Sequence, residues 1–209
     1  MKNLLPCALA TVWMISATAC ATDAAQQTAK MPEGTNINSD AKLMADFKAK
    51  VDDYLKLRKS LEGKSAVPIK KTEDPAELLA SQKALGAQVR AARATAKRGD
   101  LFTPATQAQF KRLLTPPLKG SDGAENKGAI KDDAPEPKDI PFRVNAEYPR
   151  DESLSTVPPD VLRALPQLPP EIQYRFVGRH LILFDSKAGI IIDFMLNALP
   201  PLPAVEKKP

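Results

Sequence analysis

One histidine, two cysteines and nine scattered glycines in 209 residues remove most of the usual chemical signatures at once. A protein metal site needs several convergent imidazole, thiolate or carboxylate ligands, and His180 is the only imidazole. No Gly-x-Ser-x-Gly elbow and no glycine-rich phosphate loop occur. Asp52-Asp53 and Asp132-Asp133 lack the alternating oxygen ligands and the glycine of a calcium loop, so each pair reads as solvated. Aromatic residues make up only 5% of the chain, which leaves little bulk for a large core. The sequence therefore predicts no enzyme, no metal and no cofactor. His180 reads as a half-exposed turn residue, and Ser186 beside Asp185 as a loop residue.

What is present begins with an address. Lys2 precedes an apolar stretch over residues 4–15, too short for the roughly 20 residues that span a bilayer. Residues 1–19 are thus expected to be a signal peptide for export. Ala17-Thr18-Ala19 then leads to Cys20, an order that approximates a bacterial lipobox with Ala17 where leucine is usual. With Cys7 removed in the signal, Cys20 has no disulfide partner, and lipidation there would account for it. The alternative is simple cleavage near Ala19 or Ala21. Residues 20–38, rich in Ala, Thr, Gln and Asn, read as a disordered tether.

Charge is concentrated in one region. Residues 40–114 hold 16 Lys and Arg against 9 Asp and Glu, which is more than the whole +5 net charge of the chain. An export signal argues against nucleic acid and leaves an acidic membrane surface or an envelope protein as the expected partner. Arg90, Arg93 and Lys97, placed on one side of a helix near its end, are the candidate contacts with anionic lipid. Favourable interaction with the helix dipole explains the same residues without a ligand.

The helices carry clear signals. Met44, Phe47, Val51, Tyr54 and Leu61 recur at helical spacing over residues 40–62, with Arg58 interrupting the seam. Asp74, Pro75 and Glu77 form a start signal for a second helix expected to reach Arg98 before Gly99. Gly99-Asp100-Leu101-Phe102-Thr103-Pro104 reads as a stop followed by a start, with Thr103 capping a short third helix that Pro116-Pro117 should end. Residues 39–114 are thus a helical region. Residues 115–139, with a single isolated Ile130, read as a disordered linker.

Residues 140–199 are expected to form a small αβββ module, and residues 200–209 a proline-rich tail; 11 of the 20 prolines fall between Pro141 and Pro209. Pro158-Pro159-Asp160 opens a short helix with Val161, Leu162 and Leu165 on its apolar side. Gly178-Arg179 fits a two-residue hairpin turn, pairing Val177 with His180 and, outward along the strands, Ile172 with Asp185. A third strand should follow Gly189. Strict alternation then assigns Phe176, Leu181, Leu183, Ile190, Ile192 and Phe194 to a core face. It assigns Arg175, His180, Ile182, Phe184, Ile191 and Asp193 to a second face, the candidate interaction surface. The fold class is α+β: two long helices and one short helix, joined through a linker to a three-stranded antiparallel meander with one short helix.

Two stretches resemble known proteins. The run 96–114, with Gly-Asp-Leu-Phe-Thr-Pro at its centre, together with Leu-Pro-Pro-Glu-Ile-Gln-Tyr-Arg-Phe-Val-Gly-Arg at 168–179, resembles a group of uncharacterised exported bacterial proteins and implies no activity. Residues 174–177 through 188–193 are similar to the hairpin module of the periplasmic nickel/cobalt-homeostasis family. That likeness implies a compact βββ unit more than a metal function, because no histidine-rich tract accompanies it. The function expected is that of a non-catalytic exported envelope protein, an interaction or accessory module; the alternative is a periplasmic small-ligand or metal-homeostasis factor.

Overall fold

The computed structural model describes residues 35–62 and 74–200. The signal peptide, Cys20 and most of the expected tether and tail lie outside the described residues. α1 (Thr35–Glu62) begins before the expected residue 40 and follows the apolar seam. α2 (Pro75–Ala92) starts as its sequence demands, with the Asp74 side chain accepting from the Ala76 amide and proline in the first turn. It ends at Ala92, six residues short of Arg98, in a run of turns that leads into Gly99.

α3 (Pro104–Lys119) is capped by Thr103, as expected, but runs through Pro116 and Pro117. Both prolines fall in its last turn, and Leu118 beyond them is 1% exposed, so burial of that side chain holds the end of the helix despite two missing amide donors. α4 (Gly123–Asp133) replaces the expected linker. Its one large apolar residue, Ile130, is fully buried, and Asn126 Nδ2 donates to the Pro117 carbonyl at 2.8 Å. Periodicity cannot register a helix held by one apolar anchor and one polar tie.

α5 (Pro159–Ala164) is a short helix that buries Val161 and Leu165, while Leu162 is 49% exposed. The strands β1 (Ile172–Val177), β2 (His180–Asp185) and β3 (Ile190–Met195) form an antiparallel meander in that order. The β1–β2 register runs from Val177 opposite His180 to Ile172 opposite Asp185, as the turn predicts. Gly178 adopts φ +50°, the conformation that a glycine-first hairpin turn requires.

β3 departs from simple alternation. Leu183 pairs with Asp193 but Phe184 pairs with Ile191, so Ile192 is an extra residue, a β-bulge. The inserted residue reverses parity beyond it. Asp193, expected on the second face, shares a face with Leu183, while Phe194, expected in the main core, joins Ile182 and Phe184 on the other side.

The main core is built by helices and sheet together. Phe47 of α1, Phe102, Phe110 of α3 and Tyr174 of β1 make successive ring contacts at 5.1–5.9 Å between centroids. The expected division into a helical region and a separate β module is therefore corrected, because one continuous core joins Phe47 to Leu199. Tyr54 of α1, Gly86 of α2 and Phe110 of α3 all reach the sheet, touching Asp185, Ile190 and Tyr174.

A strap over residues 140–148 covers the second face. Ile140 and Tyr148 are buried there against Val177, Ile182, Phe184, Ile191 and Phe194. The strap also pairs with the outer edge of β3: the Asn145 amide donates to Ile191 O, the Ile191 amide to Ala146 O and the Tyr148 amide to Gly189 O, at 2.7–2.9 Å. No helix among the described residues is long and apolar enough to cross a membrane.

Candidate functional site

Two buried polar clusters tie the helices to the sheet. The first lies under α1, where Arg58 interrupts the apolar seam. Arg58 and Asp185 are both completely buried, and Arg58 Nε lies 3.2 Å from Asp185 Oδ2. Arg58 Nη1 reaches Glu62 at 2.7 Å, and Nη2 stands 3.6 Å from Glu171. The Tyr54 hydroxyl donates to Asp185 Oδ2 at 2.6 Å, while Oδ1 accepts the amides of Lys187 and Ala188 at the β2–β3 turn. Burial, and next the Asp185 charge, drive the Tyr54 pKa far above the ordinary tyrosine value, so the hydroxyl stays protonated and acts only as a donor.

The second cluster surrounds Asp193. Its carboxylate accepts the amides of Gly99, Leu101 and Phe102 at 2.8–3.2 Å, and the Phe194 amide as well. This is why the segment between α2 and α3 folds as it does: Gly99, at φ +93°, turns successive amides toward one anion. Beside it, Arg93 Nη1 donates to Asn145 Oδ1 at 2.7 Å and Asn145 Nδ2 donates back to the Arg93 carbonyl. Both Arg93 terminal nitrogens also reach Ile192 O at 3.3 Å, and the guanidinium lies 5.0 Å from the Tyr54 ring centre. Burial pulls the Arg93 pKa down, partly offset by Tyr54 and Asp193.

These placements correct both candidate surfaces. Of the proposed interaction face, Ile182, Ile191 and Asp193 are wholly buried and Phe184 is 5% exposed. The strap takes the place that a partner was expected to fill, and the bulge turns Asp193 into the other face. Arg175 and His180 remain half-buried. His180 Nδ1 accepts the Asn197 amide at 2.9 Å, with its ring edge-on to Phe142 at 4.8 Å. Of the proposed lipid contacts, Arg93 is turned into the sheet and Lys97 lies beyond the end of α2, so the three cations do not form one helical stripe. Arg90 instead lines a groove of about 250 Å³ with Lys83, Arg150, Glu147 and Tyr148, where both charge signs occur.

The feature that sequence reasoning missed lies along the outer edge of β1. A groove of about 450 Å³ runs between this strand, Val157, Leu162 of α5 and the turn through Pro166, Pro169 and Pro170. Arg175 is the one charged residue lining it and makes no ion pair among the described residues. Its terminal nitrogens donate to Ser155 O and Gln173 Oε1, and its Nε has no hydrogen-bond partner. The proline spacing at 166–170 marks an extended return, but nothing in it announces that the return leaves a groove beside the strand while touching it through Pro166 O, which accepts from the Tyr174 hydroxyl, and Pro169 O, which accepts from the Ile172 amide.

Among the described residues no group of three His, Cys, Asp or Glu is placed to hold a metal ion. No family model, curated protein or solved structure matches this chain.

Proposed function

We propose that the chain is a non-catalytic exported envelope protein, held at a membrane through a lipid on Cys20, that works by engaging another envelope protein. One contrast carries this reading. The buried charges Arg58, Asp185 and Asp193 are committed to joining helices to sheet, whereas the groove beside β1 is largely apolar, borders a strand edge left open at Tyr174 and carries one unneutralised cation. Chemistry inside the fold is spent on architecture, and the open feature suits recognition. The start of the chain supports the cellular setting, with Lys2, the apolar residues 4–15 and Ala17-Thr18-Ala19-Cys20.

Two measurements test it. A photocrosslinking amino acid at Leu162 should give a reproducible adduct with one envelope protein in intact cells, and the same group at exposed Lys56 on α1 should not. Equal adducts from both positions, or none from either, would remove the interaction reading. Mass spectrometry of the mature protein should show an acylated Cys20 at its N-terminus; an unmodified Ala21 or Thr22 would remove the anchor.

A further inference from the structure

We infer that the outer edge of β1 receives an extended, acidic peptide segment of a partner as a fourth strand. This deepens the interaction reading and rests on it. In an antiparallel pair, alternate residues direct their backbone groups into the ladder and away from it. The two-residue turn makes Val177 and His180 a hydrogen-bonded pair, which sends the backbone groups of Ile172, Tyr174 and Phe176 outward.

The contacts on either side agree with that parity. The outward amide of Phe176 donates to Ser155 Oγ at 2.8 Å, and the same hydroxyl donates to the Phe176 carbonyl at 2.7 Å. The Ile172 amide donates to Pro169 O at 2.9 Å. Tyr174 lies between these two closures, and among the described residues no group meets its outward amide or carbonyl. Its strand lines the groove at that point. An unpaired donor and acceptor on a strand edge are complementary to another extended backbone and to few other partners.

Charge narrows the occupant. Arg175 supplies the only charge in the groove, and no carboxylate lines it, so a carboxylate on the incoming segment completes the pair. Leu162, half-exposed on the opposite wall, offers an apolar contact to a neighbouring side chain of the same segment. Together these features specify an extended segment carrying one acidic and at least one apolar side chain. The opposite edge of the sheet cannot serve in this way, because the strap already pairs with β3.

The test is nuclear magnetic resonance of the intact mature protein with an end-blocked heptapeptide of alternating valine and threonine around a central glutamate. In the free protein the Tyr174 amide should exchange faster than those of Gln173 and Arg175, which lie in the ladder. Peptide should shift the amides of residues 172–176 and protect Tyr174. Replacing the peptide glutamate by glutamine, or making Arg175→Gln, should weaken binding about tenfold, the scale of one charge-assisted contact. A peptide methylated at the amides that would face the strand should not bind.

A Tyr174 amide already protected in the free protein, or no shift in β1 at millimolar peptide, would overturn strand addition. So would shifts in β1 that track protein concentration alone, which would mark pairing with a second copy. Failure here with a specific Leu162 adduct in cells removes only the mode of recognition; loss of that adduct removes the interaction reading itself.

Discussion

Tyr54 donates a 2.6 Å hydrogen bond to Asp185 across 131 positions of sequence, from the middle of α1 to the end of β2. The bond reaches a buried carboxylate that also faces Arg58, so it holds the register of the helix against the sheet. Tyr54→Phe keeps the ring and removes only the donor. A loss of about 1.5–3 kcal/mol in a urea melt is expected, the range for hydrogen bonds to charged groups. A loss within measurement error of zero would show that Arg58 suffices for Asp185 Oδ2, with the Lys187 and Ala188 amides on Oδ1.

Asp193→Asn tests the second cluster. The amide side chain offers a single acceptor oxygen to donors that now share two, and its NH₂ group faces further N–H groups. Each backbone amide left without an acceptor costs about 1–3 kcal/mol, so thermal denaturation should shift down far more than for Asp160→Asn on the exposed side of α5. Similar shifts for the two variants would show that the 99–102 turn holds itself.

Phe184 and Phe176 lie on opposite faces of the sheet, and both are buried, one under the strap and the other in the main core. Replacing either with alanine should cost about 3–5 kcal/mol. Circular-dichroism melts of the two variants check this. A Phe184 variant as stable as the parent would return its face to the surface and displace the strap.

The His180 pKa should lie below its ordinary 6.5, because burial and, secondarily, the Arg179 guanidinium disfavour its charged form. The Asn197 amide donating to Nδ1 also requires the neutral ring with its proton on Nε2. The unfolded chain then binds a proton first as pH falls. Stability from this residue is full above about pH 6.5, declines toward the folded pKa and is flat below it. A titration of the single imidazole resonance should give a midpoint under 6.5; a higher midpoint would contradict the geometry.

Residues 115–139 should resist limited proteolysis, since α3 and α4 occupy most of them and Ile130 is buried. First cleavage inside 123–133 would show that α4 opens independently of the core.

The β1–β2 register was legible because one glycine-first turn sets every pair, and the starts of α2 and α3 because capping chemistry is local. Arg58 was legible only as an interruption of a seam; its partner Asp185 lies on a strand with no sequence relation to it. The bulge at Ile192 left no trace, because in Ile190-Ile191-Ile192 both faces read as apolar and a shift of parity changes nothing in the pattern. The strap left only a broken trace. Ile140, Phe142, Val144 and Tyr148 fall on alternate positions, but Asn145 at φ +63° turns the chain between them, so the four do not form one continuous strand.

The long-range ties have a temporal consequence. During synthesis, a chain that has emerged only as far as Pro170 contains α1, α2 and α3 but neither Asp185 nor Asp193. Arg58 then has no buried counterion and the amides at 99–102 have no carboxylate to converge on. The helices cannot close these polar contacts until the final strands arrive, so the ties from α1 and from the 99–102 turn to the sheet are made last. Until then both ties stay open, so the arrival of the last hairpin is the step that closes the fold.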